Sequence, residues 1–281
     1  MNPTLTKSRT VFEVNLVFSL TFMALWAFQL TPIPELQKGI LHHSFLEYTI
    51  MILVPLLILF LIRKSFASYG ITFQNLRYHL DVAFTCLAVV MPLSALGYAF
   101  LLPKLQTSYL YWDGALILSV LNISSLFLIA YLLKKKQTFS NLPSSNIILF
   151  LFLLVAAFSV AAFTTPHTKR ISGFVFYLFF VGFGEEIMFR GYIQSRLNEA
   201  FGHPYQFFGV NLGWGLVITS LIFGFMHIIN PYNPFNWWWG FWTFFGGMVL
   251  GFIREKTGSI VAPAIIHGLP QAFVILFFGW G

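Results

Sequence analysis

Long apolar runs constrain the fold of this chain more than any other feature of its sequence. Nine such runs follow one another with short polar breaks, and only 9% of the 281 residues are charged while 58% are hydrophobic. Soluble domains carry about 25% charged residues, and a helix needs about 20 mostly apolar residues to cross a bilayer. The sequence therefore predicts an all-α fold, a polytopic membrane helical bundle.

The bundle is expected to have nine transmembrane helices, or eight if the first or second apolar run lies peripherally. The predicted spans are 11–30, 45–62, 82–102, 114–133, 146–164, 171–190, 209–229, 235–253 and 259–279. The sixth is expected to continue along the surface to residue 201, and a tight hairpin at 254–258 is expected to join the last two.

The basic residues orient this bundle. With the N-terminus in the cytoplasm, 12 Lys and Arg residues fall on the inner side and 4 on the outer side, as the positive-inside rule requires. They are scattered over loops rather than gathered in a stripe, so nucleic acid is not an expected partner. We predict a multi-pass protein of the cell membrane with the lipid bilayer as partner, and the sequence leaves its oligomeric state open.

Two adjacent carboxylates, Glu185 and Glu186, lie at membrane depth in the run 171–190. A carboxylate there costs several kcal/mol, about 2.5 to 3.5 on insertion scales. Glu186 and Arg190 are i and i+4 in the order that favours pairing, whereas Glu185 lies about 100° around the helix. We expect Arg190 to hold Glu186 and Glu185 to stay chemically available. The alternative is a buried ionic staple that both glutamates form with Arg190.

Two histidines and an amide add to this polar chemistry in the last third of the chain. His227 follows a run without other ionisable side chains, where Ser220 and Gly224 allow another helix to approach closely. His267 and Gln271 are i and i+4 on the last span, and both can donate hydrogen bonds. Either histidine alone also fits a packing role. Together, a carboxylate, two imidazoles and an amide can activate water and stabilise an oxyanion, which indicates hydrolysis of a carbonyl.

Other hydrolytic sites fit the sequence less well. It has no His-Glu-x-x-His motif, no Gly-x-Ser-Gly before a histidine helix, and only two aspartates, Asp81 and Asp113, in different contexts. Cys86 is the single cysteine, which excludes a Cys-based zinc site. Two His and two Glu suit a divalent metal, but the nearby Arg190 opposes a cation. We therefore predict neither a metal nor another cofactor.

Three motifs in sequence order, Glu-Glu-x-x-x-Arg, Phe-x-x-x-His and Thr-Gly-Ser-Ile…Pro…His, resemble the CPBP family. That family contains the type II CAAX prenyl endopeptidases and the bacteriocin-processing proteins also called ABI proteins. The resemblance covers about residues 171–272. It divides the chain into N-terminal transmembrane helices without a recognised signature, 1–165, and a CPBP-like catalytic helical core, 166–281.

The resemblance implies an intramembrane, metal-independent glutamate endopeptidase that cuts a membrane-associated peptide or protein. Glu185 would be the base that activates water, with His227 assisting. His267 would help to form the oxyanion hole, and Glu186 and Arg190 would hold the site together.

Gln271 departs from the family pattern, which usually has asparagine, or sometimes aspartate, at this position. Glutamine keeps the amide but is one methylene longer. This difference keeps an alternative open: a non-catalytic membrane scaffold or immunity-type peptide-binding protein of the same fold. A transporter with a Glu185–His227 proton relay is disfavoured because the two halves of the chain show no internal repeat.

The predicted spans leave one conflict between topology and chemistry. Glu185 lies toward the inner end of its span, whereas His227 lies near the outer end of the next. The two residues meet only if the seventh helix begins later than residue 209, or if residues 230–234 re-enter the membrane beside a water-filled cavity.

Overall fold

Ten helices make up nearly all of the regular structure in a computed structural model that describes residues 3–136, 146–165, 168–229 and 234–279. The helices are α1 (Pro3–Gln29), α2 (Ile33–Leu41), α3 (Phe45–Leu61), α4 (Leu76–Lys104), α5 (Trp112–Leu133), α6 (Ile147–Thr164), α7 (Lys169–Phe201), α8 (Trp214–Ile228), α9 (Trp237–Thr257) and α10 (Val261–Phe278). A short antiparallel hairpin of β1 (Tyr205–Phe207) and β2 (Val210–Leu212) precedes α8.

The predicted class, an all-α polytopic membrane bundle, is confirmed, and each of the nine predicted spans coincides with a helix. Six helices in the described part of the chain are long and apolar enough to cross a membrane, or seven if α2 and α3 form one span bent by 113°. Two of the nine predicted spans are not among them: α8, which has only 15 residues, and α9, which has 21 residues.

Helix α7 lies at the centre of the bundle. It is 33 residues long, and 72% of the residues in its most apolar stretch are buried, more than in the other helices that could cross a membrane. Helices α1, α3, α8, α9 and α10 all pack against it. The predicted continuation to Phe201 is confirmed. Its predicted surface location holds only for the last turn, because residues 191–195 are buried among these neighbours while Glu199 is exposed.

The turn between α9 and α10 lies later in the chain than predicted. Helix α9 runs on to Thr257, and the chain reverses at Gly258, whose φ of 68° is readily adopted only by residues such as glycine. Arg254 and Lys256 therefore belong to the helix and are buried, not exposed in a loop. Arg254 Nη2 donates to Ser195 Oγ of α7 at 3.1 Å, so the end of α9 is fixed to the central helix.

Glycines set the closest helix crossings. A Cβ added to Gly268 of α10 would lie 2.4 Å from the backbone oxygen of Tyr177, and one added to Gly182 of α7 would lie 2.6 Å from that of Ala264. Neither distance can be tolerated, so α7 and α10 touch through their backbones. This contact brings the neighbouring His267 against the Glu185–Glu186 segment.

The predicted small-residue face of α8 makes a second close crossing. A Cβ on Gly224 would lie 2.6 Å from the oxygen of Gly240 in α9, and one on Gly247 would lie 3.1 Å from Ser220 Cβ. Small residues let backbones approach in this way in membranes. Helix α9 is thereby brought close to α7, where the carbonyl of Gly247 meets Arg190.

Candidate active site

The ion pair between Glu186 and Arg190 has the geometry predicted from their spacing. Arg190 Nη1 donates to Glu186 Oε1 at 2.8 Å, and the two side chains are 1% and 0% exposed. Arg190 Nη2 donates to the carbonyl of Gly247 at 3.2 Å, and the guanidinium lies 4.4 Å from the centre of the Phe223 ring. The pair is therefore enclosed by α7, α8 and α9.

His267 contacts both glutamates. Its Nδ1 lies 2.9 Å from Glu186 Oε1, which identifies Nδ1 as the donor in a hydrogen bond to that carboxylate. Its Nε2 lies 3.7 Å from Glu185 Oε2, beyond direct hydrogen-bond distance. Helical spacing predicts only Arg190 as a partner of Glu186. The contact with His267 joins residues 81 positions apart and has no local sequence signal.

Glu185 does not share the hydrogen bond between Glu186 and Arg190, as its position around the helix predicts, and it lines a cavity. Its Oε1 accepts a hydrogen bond from Tyr48 Oη at 3.3 Å. Its Oε2 is buried and has no hydrogen-bond donor among the described residues. One oxygen of this carboxylate is thus held by the protein, and the other is available beside His267.

The π-helical turns of α7 flank these glutamates. Segments Phe176–Gly182 and Ile187–Gln194 widen the helix on either side of a single ordinary α-helical turn, Phe183–Glu186. Such wide turns occur often at functional sites, because they redirect side chains from a regular helix face.

His227 lies on the wall of the same cavity as Glu185. Its Nδ1 lies 2.8 Å from the carbonyl oxygen of Phe223. A carbonyl can only accept a hydrogen bond, so Nδ1 carries the proton, and in the neutral ring Nε2 keeps its lone pair. The Trp239 ring lies 5.4 Å away, edge to face.

The structure removes the conflict between the depths of Glu185 and His227. Helix α8 begins at Trp214, five residues later than the predicted span, and Glu185 lies near the middle of the extended α7 rather than at its end. The other proposed solution, a re-entrant segment at 230–234, falls almost wholly outside the described residues.

A cavity of about 440 Å³ gives access to Glu185 and His227. Most of its wall comes from the N-terminal helices α1 to α3, and the rest comes from α7, α8 and Trp239 of α9. The residues that line it are Phe22, Leu25, Trp26, Gln29, Lys38, His42, His43, Ser44, Glu47, Tyr48, Met51, Phe176, Tyr177, Glu185, Met226, His227, Ile229 and Trp239. The wall is therefore largely aromatic and aliphatic, with polar groups concentrated near residues 38–47.

The structure does not place Gln271 beside the other candidate residues. Its side chain is exposed, and it is not among the residues that line the cavity. Residues 267 and 271 share one face of α10, but this face meets the glutamates of α7 only at the level of His267. Gln271 thus takes no part in the contacts that join Glu185, Glu186, Arg190 and His267.

The ionisable side chains of the site do not form an evident metal centre. Within the described ranges, no three His, Cys, Asp or Glu side chains converge closely enough to hold an ion. Glu186 Oε1, the oxygen that faces His267, is already occupied by Arg190 Nη1.

These observations define a class of protein: a multi-pass helical membrane protein in which Glu185 and His227 line a cavity, while His267 and the buried Glu186 pack behind Glu185. Residues 166–273 match the family described as Type II CAAX prenyl endopeptidase Rce1-like. The resemblance to the CPBP family of intramembrane proteases is thereby confirmed for this part of the chain. The matched region contains Glu185, Glu186, Arg190, His227 and His267. No curated protein and no solved structure matches the chain.

Proposed function

We propose that this protein is an intramembrane glutamate endopeptidase in which Glu185 activates the water that attacks a peptide bond. The observation that carries the proposal is the Oε2 atom of Glu185, which is buried, has no donor among the described residues, and belongs to a residue that lines the cavity. The family match of residues 166–273 supports the same reaction class.

The proposed base works together with His267. A water bound between Glu185 Oε2 and His267 Nε2, which are 3.7 Å apart, gives its proton to the carboxylate and attacks the carbonyl carbon. The carbonyl oxygen becomes an oxyanion. A protonated His267, with Nδ1 donating to Glu186, donates through Nε2 to that oxyanion, which is the form of stabilisation that usually contributes most to acyl transfer.

Charge balance supports this arrangement. Glu185, Glu186, Arg190 and a protonated His267 sum to zero, and an uncompensated charge in such a buried set is strongly destabilising. Arg190 and Glu186 do not touch the water in this scheme. They hold the His267 ring in position, because the hydrogen bond on Nδ1 directs Nε2 toward Glu185.

His227 is proposed to move the proton to the leaving group. Its Nδ1–H is committed to the Phe223 carbonyl, so its Nε2 can accept the proton that Glu185 took from water and give it to the amide nitrogen. The C–N bond then breaks, and the products are a carboxylate and an amine. Water supplies every atom that is added, and no covalent enzyme intermediate is needed.

The proposed substrate is a membrane-associated peptide or protein with apolar side chains near the cut bond. Aromatic and flexible Met side chains line much of the cavity, and such surfaces accept apolar groups of varied shape. We propose a location in the cell membrane with the N-terminus in the cytoplasm, on the basis of the 12 to 4 distribution of basic residues.

The proposal is tested with the full chain in proteoliposomes and a library of internally quenched hydrophobic peptides. We expect Glu185→Gln to lower the cleavage rate by about 10² to 10⁴, the usual contribution of a general base. Glu199→Gln, which changes another glutamate of α7 outside the cavity, serves as the matched control and is expected to keep the wild-type rate. If the wild type binds a peptide without cleaving it, and Glu185→Gln binds the peptide equally well, the result would support the scaffold alternative instead.

Metal independence is a separate part of the proposal. Dialysis against EDTA and 1,10-phenanthroline is expected to leave the rate unchanged, and elemental analysis of the purified protein is expected to find less than stoichiometric zinc. Loss of activity that added zinc restores would replace the glutamate mechanism by a metal-assisted one.

A further inference from the structure

The proposed base is held from a part of the chain that lies outside the family match. That match begins at residue 166, whereas the hydrogen bond to Glu185 Oε1 comes from Tyr48 of α3, 137 positions earlier. We infer that Tyr48 is a positioning residue of the active site, which fixes the Glu185 carboxylate so that Oε2 faces the attacking water. This inference rests on the proposed role of Glu185 as the base.

A fixed orientation matters because a glutamate carboxylate rotates easily. The terminal torsion of a glutamate side chain is broad and roughly two-fold, so an unrestrained carboxylate samples many orientations. The Tyr48 hydrogen bond distinguishes Oε1 from Oε2, and only Oε2 lies beside His267 Nε2. Orienting a reacting group in this way removes reorganisation from the chemical step.

Tyr48 is itself held in position from two directions. Its ring lies edge-on to Phe176 of α7, with the centroids 5.2 Å apart and the planes at 90°. The residue before it, Glu47, is buried and accepts hydrogen bonds from Gln29 and Gln37, each at 2.9 Å. These contacts join the end of α1 and the middle of α2 to the start of α3, so the N-terminal helices determine where the Tyr48 hydroxyl lies.

The sequence offers little sign of this role. Tyr48 lies near the start of the second apolar run, where a tyrosine is an ordinary interface residue. Its neighbour Glu47, an acidic residue in the same run, was the available signal that this segment carries polar contacts at depth.

Tyr48→Phe tests the inference, and Tyr192→Phe is the matched control. Both changes keep the ring and remove a phenol that donates to a glutamate, but Tyr192 donates to Glu13 at 3.0 Å, outside the cavity. With the best-cleaved peptide of the library, we expect Tyr48→Phe to lower kcat roughly tenfold, the size expected for one hydrogen bond to a charged group. KM should stay near the wild-type value because Tyr48→Phe keeps the ring that lines the cavity and removes only the hydroxyl that bonds the proposed base.

A second readout does not depend on cleavage. A hydrophobic carbodiimide adds to a carboxyl oxygen of Glu185, and mass spectrometry of the labelled peptide gives the rate. Labelling of Glu185 is expected to be faster in Tyr48→Phe, because Oε1 is released. It should be unchanged in Tyr192→Phe and absent at this position in Glu185→Gln.

The outcomes separate the inference from the proposed function. If Tyr48→Phe keeps the wild-type kcat and labelling rate while Glu185→Gln is inactive, the inference is overturned and the glutamate mechanism still holds. A faster label in Tyr48→Phe, in a protein that cleaves no peptide of the library, would support the positioning contact and count against the proposed function. A rise in KM at unchanged kcat would also overturn the inference, because it would place Tyr48 on the substrate.

Discussion

Two arginines on α7, six positions apart, hold glutamates in contrasting surroundings. Arg190 and Glu186 are 1% and 0% exposed, whereas Arg196 and Glu13 are 18% and 22% exposed. The N–O distances are nearly equal, 2.8 and 2.7 Å. The N–O distance therefore does not distinguish the two pairs, whereas burial does.

The difference in burial indicates different purposes. A fully buried ion pair is weak evidence for stability, because desolvation offsets much of the attraction. Arg190 holds Glu186, which in turn holds His267, so in the proposed mechanism this pair positions the histidine. Arg196 instead bonds Glu13 of α1 through Nε and Nη2 and Glu199 through Nη1. That network fastens the first helix to the central one.

The largest effect is expected when the buried pair is broken. Arg190→Met leaves Glu186 buried without its guanidinium, which costs about 3 to 5 kcal/mol of the free energy of unfolding. Cleavage should be lost as well, because His267 is no longer held correctly. Unfolding in detergent micelles, followed by circular dichroism, measures the first effect, and the peptide assay measures the second.

The double variant Arg190→Met/Glu186→Leu separates these two effects. Replacing both charges by apolar groups is often neutral or stabilising, so most of the lost stability should return, whereas activity should not. An Arg190→Met protein as stable as the wild type would show that this pair is not an enclosed charge pair at all.

A smaller effect is expected from the partly buried network around Arg196. Arg196→Met removes an ion pair that is partly solvated and should cost about 1 kcal/mol, with the cleavage rate retained. The difference from the wild type should shrink in 1 M NaCl, because salt screens exposed charges far more than buried ones. Equal destabilisation by Arg196→Met and Arg190→Met would remove the contrast on which the comparison rests.

The features that the sequence predicted well depend on residues close together in the chain. The Glu186–Arg190 pair and the close approach at Ser220 and Gly224 follow from helical spacing, which three or four residues determine. The membrane class follows from the apolar runs, because only helices and closed barrels satisfy the backbone in lipid.

What the sequence could not predict depends on packing between distant segments. The contact of His267 with both glutamates depends on the backbone crossing at Gly268, and the hydrogen bond from Tyr48 spans 137 positions. The i and i+4 spacing places His267 and Gln271 on one face of α10, but it does not predict which part of that face contacts α7. Gln271 is exposed for that reason and makes none of the observed contacts of Glu185 with described residues.

A third contact contains a histidine, so its cation, unlike the two arginines, loses its charge near neutral pH. His203 Nε2 lies 3.4 Å from Glu255 Oε2. The hydrogen bond with Glu255 raises the pKa of His203 above its usual 6.5. Burial raises the pKa of Glu255, but the hydrogen bond from His203 and the charge of Arg254 outweigh it, so this pKa lies below the usual 4.5.

The sign of the pH dependence follows from these directions. The contribution of His203 to the free energy of unfolding is complete below pH 6.5 and is lost as pH rises through its raised pKa. The contribution of Glu255 is complete above pH 4.5 and is lost as pH falls through its lowered pKa. His203→Gln should therefore reduce stability most between pH 4.5 and 6.5. The reduction should stay below about 1 kcal/mol, because the His203 side chain is 43% exposed. A difference that is constant from acid to alkaline pH would contradict the assigned pair.

The smallest effect is expected at the most exposed pair. Lys38 and Glu35 are i+3 apart at 3.3 Å, and the Glu35 side chain is 82% exposed. Glu35→Gln should change the free energy of unfolding by less than about 0.5 kcal/mol, because solvent already screens the charge. This change completes a series in which similar cation–carboxylate contacts range from full burial to near-complete exposure. If the measured losses follow burial along that series, desolvation explains the contrast between Arg190 and Arg196; a large loss at Glu35 would show that position in the fold matters more than solvent.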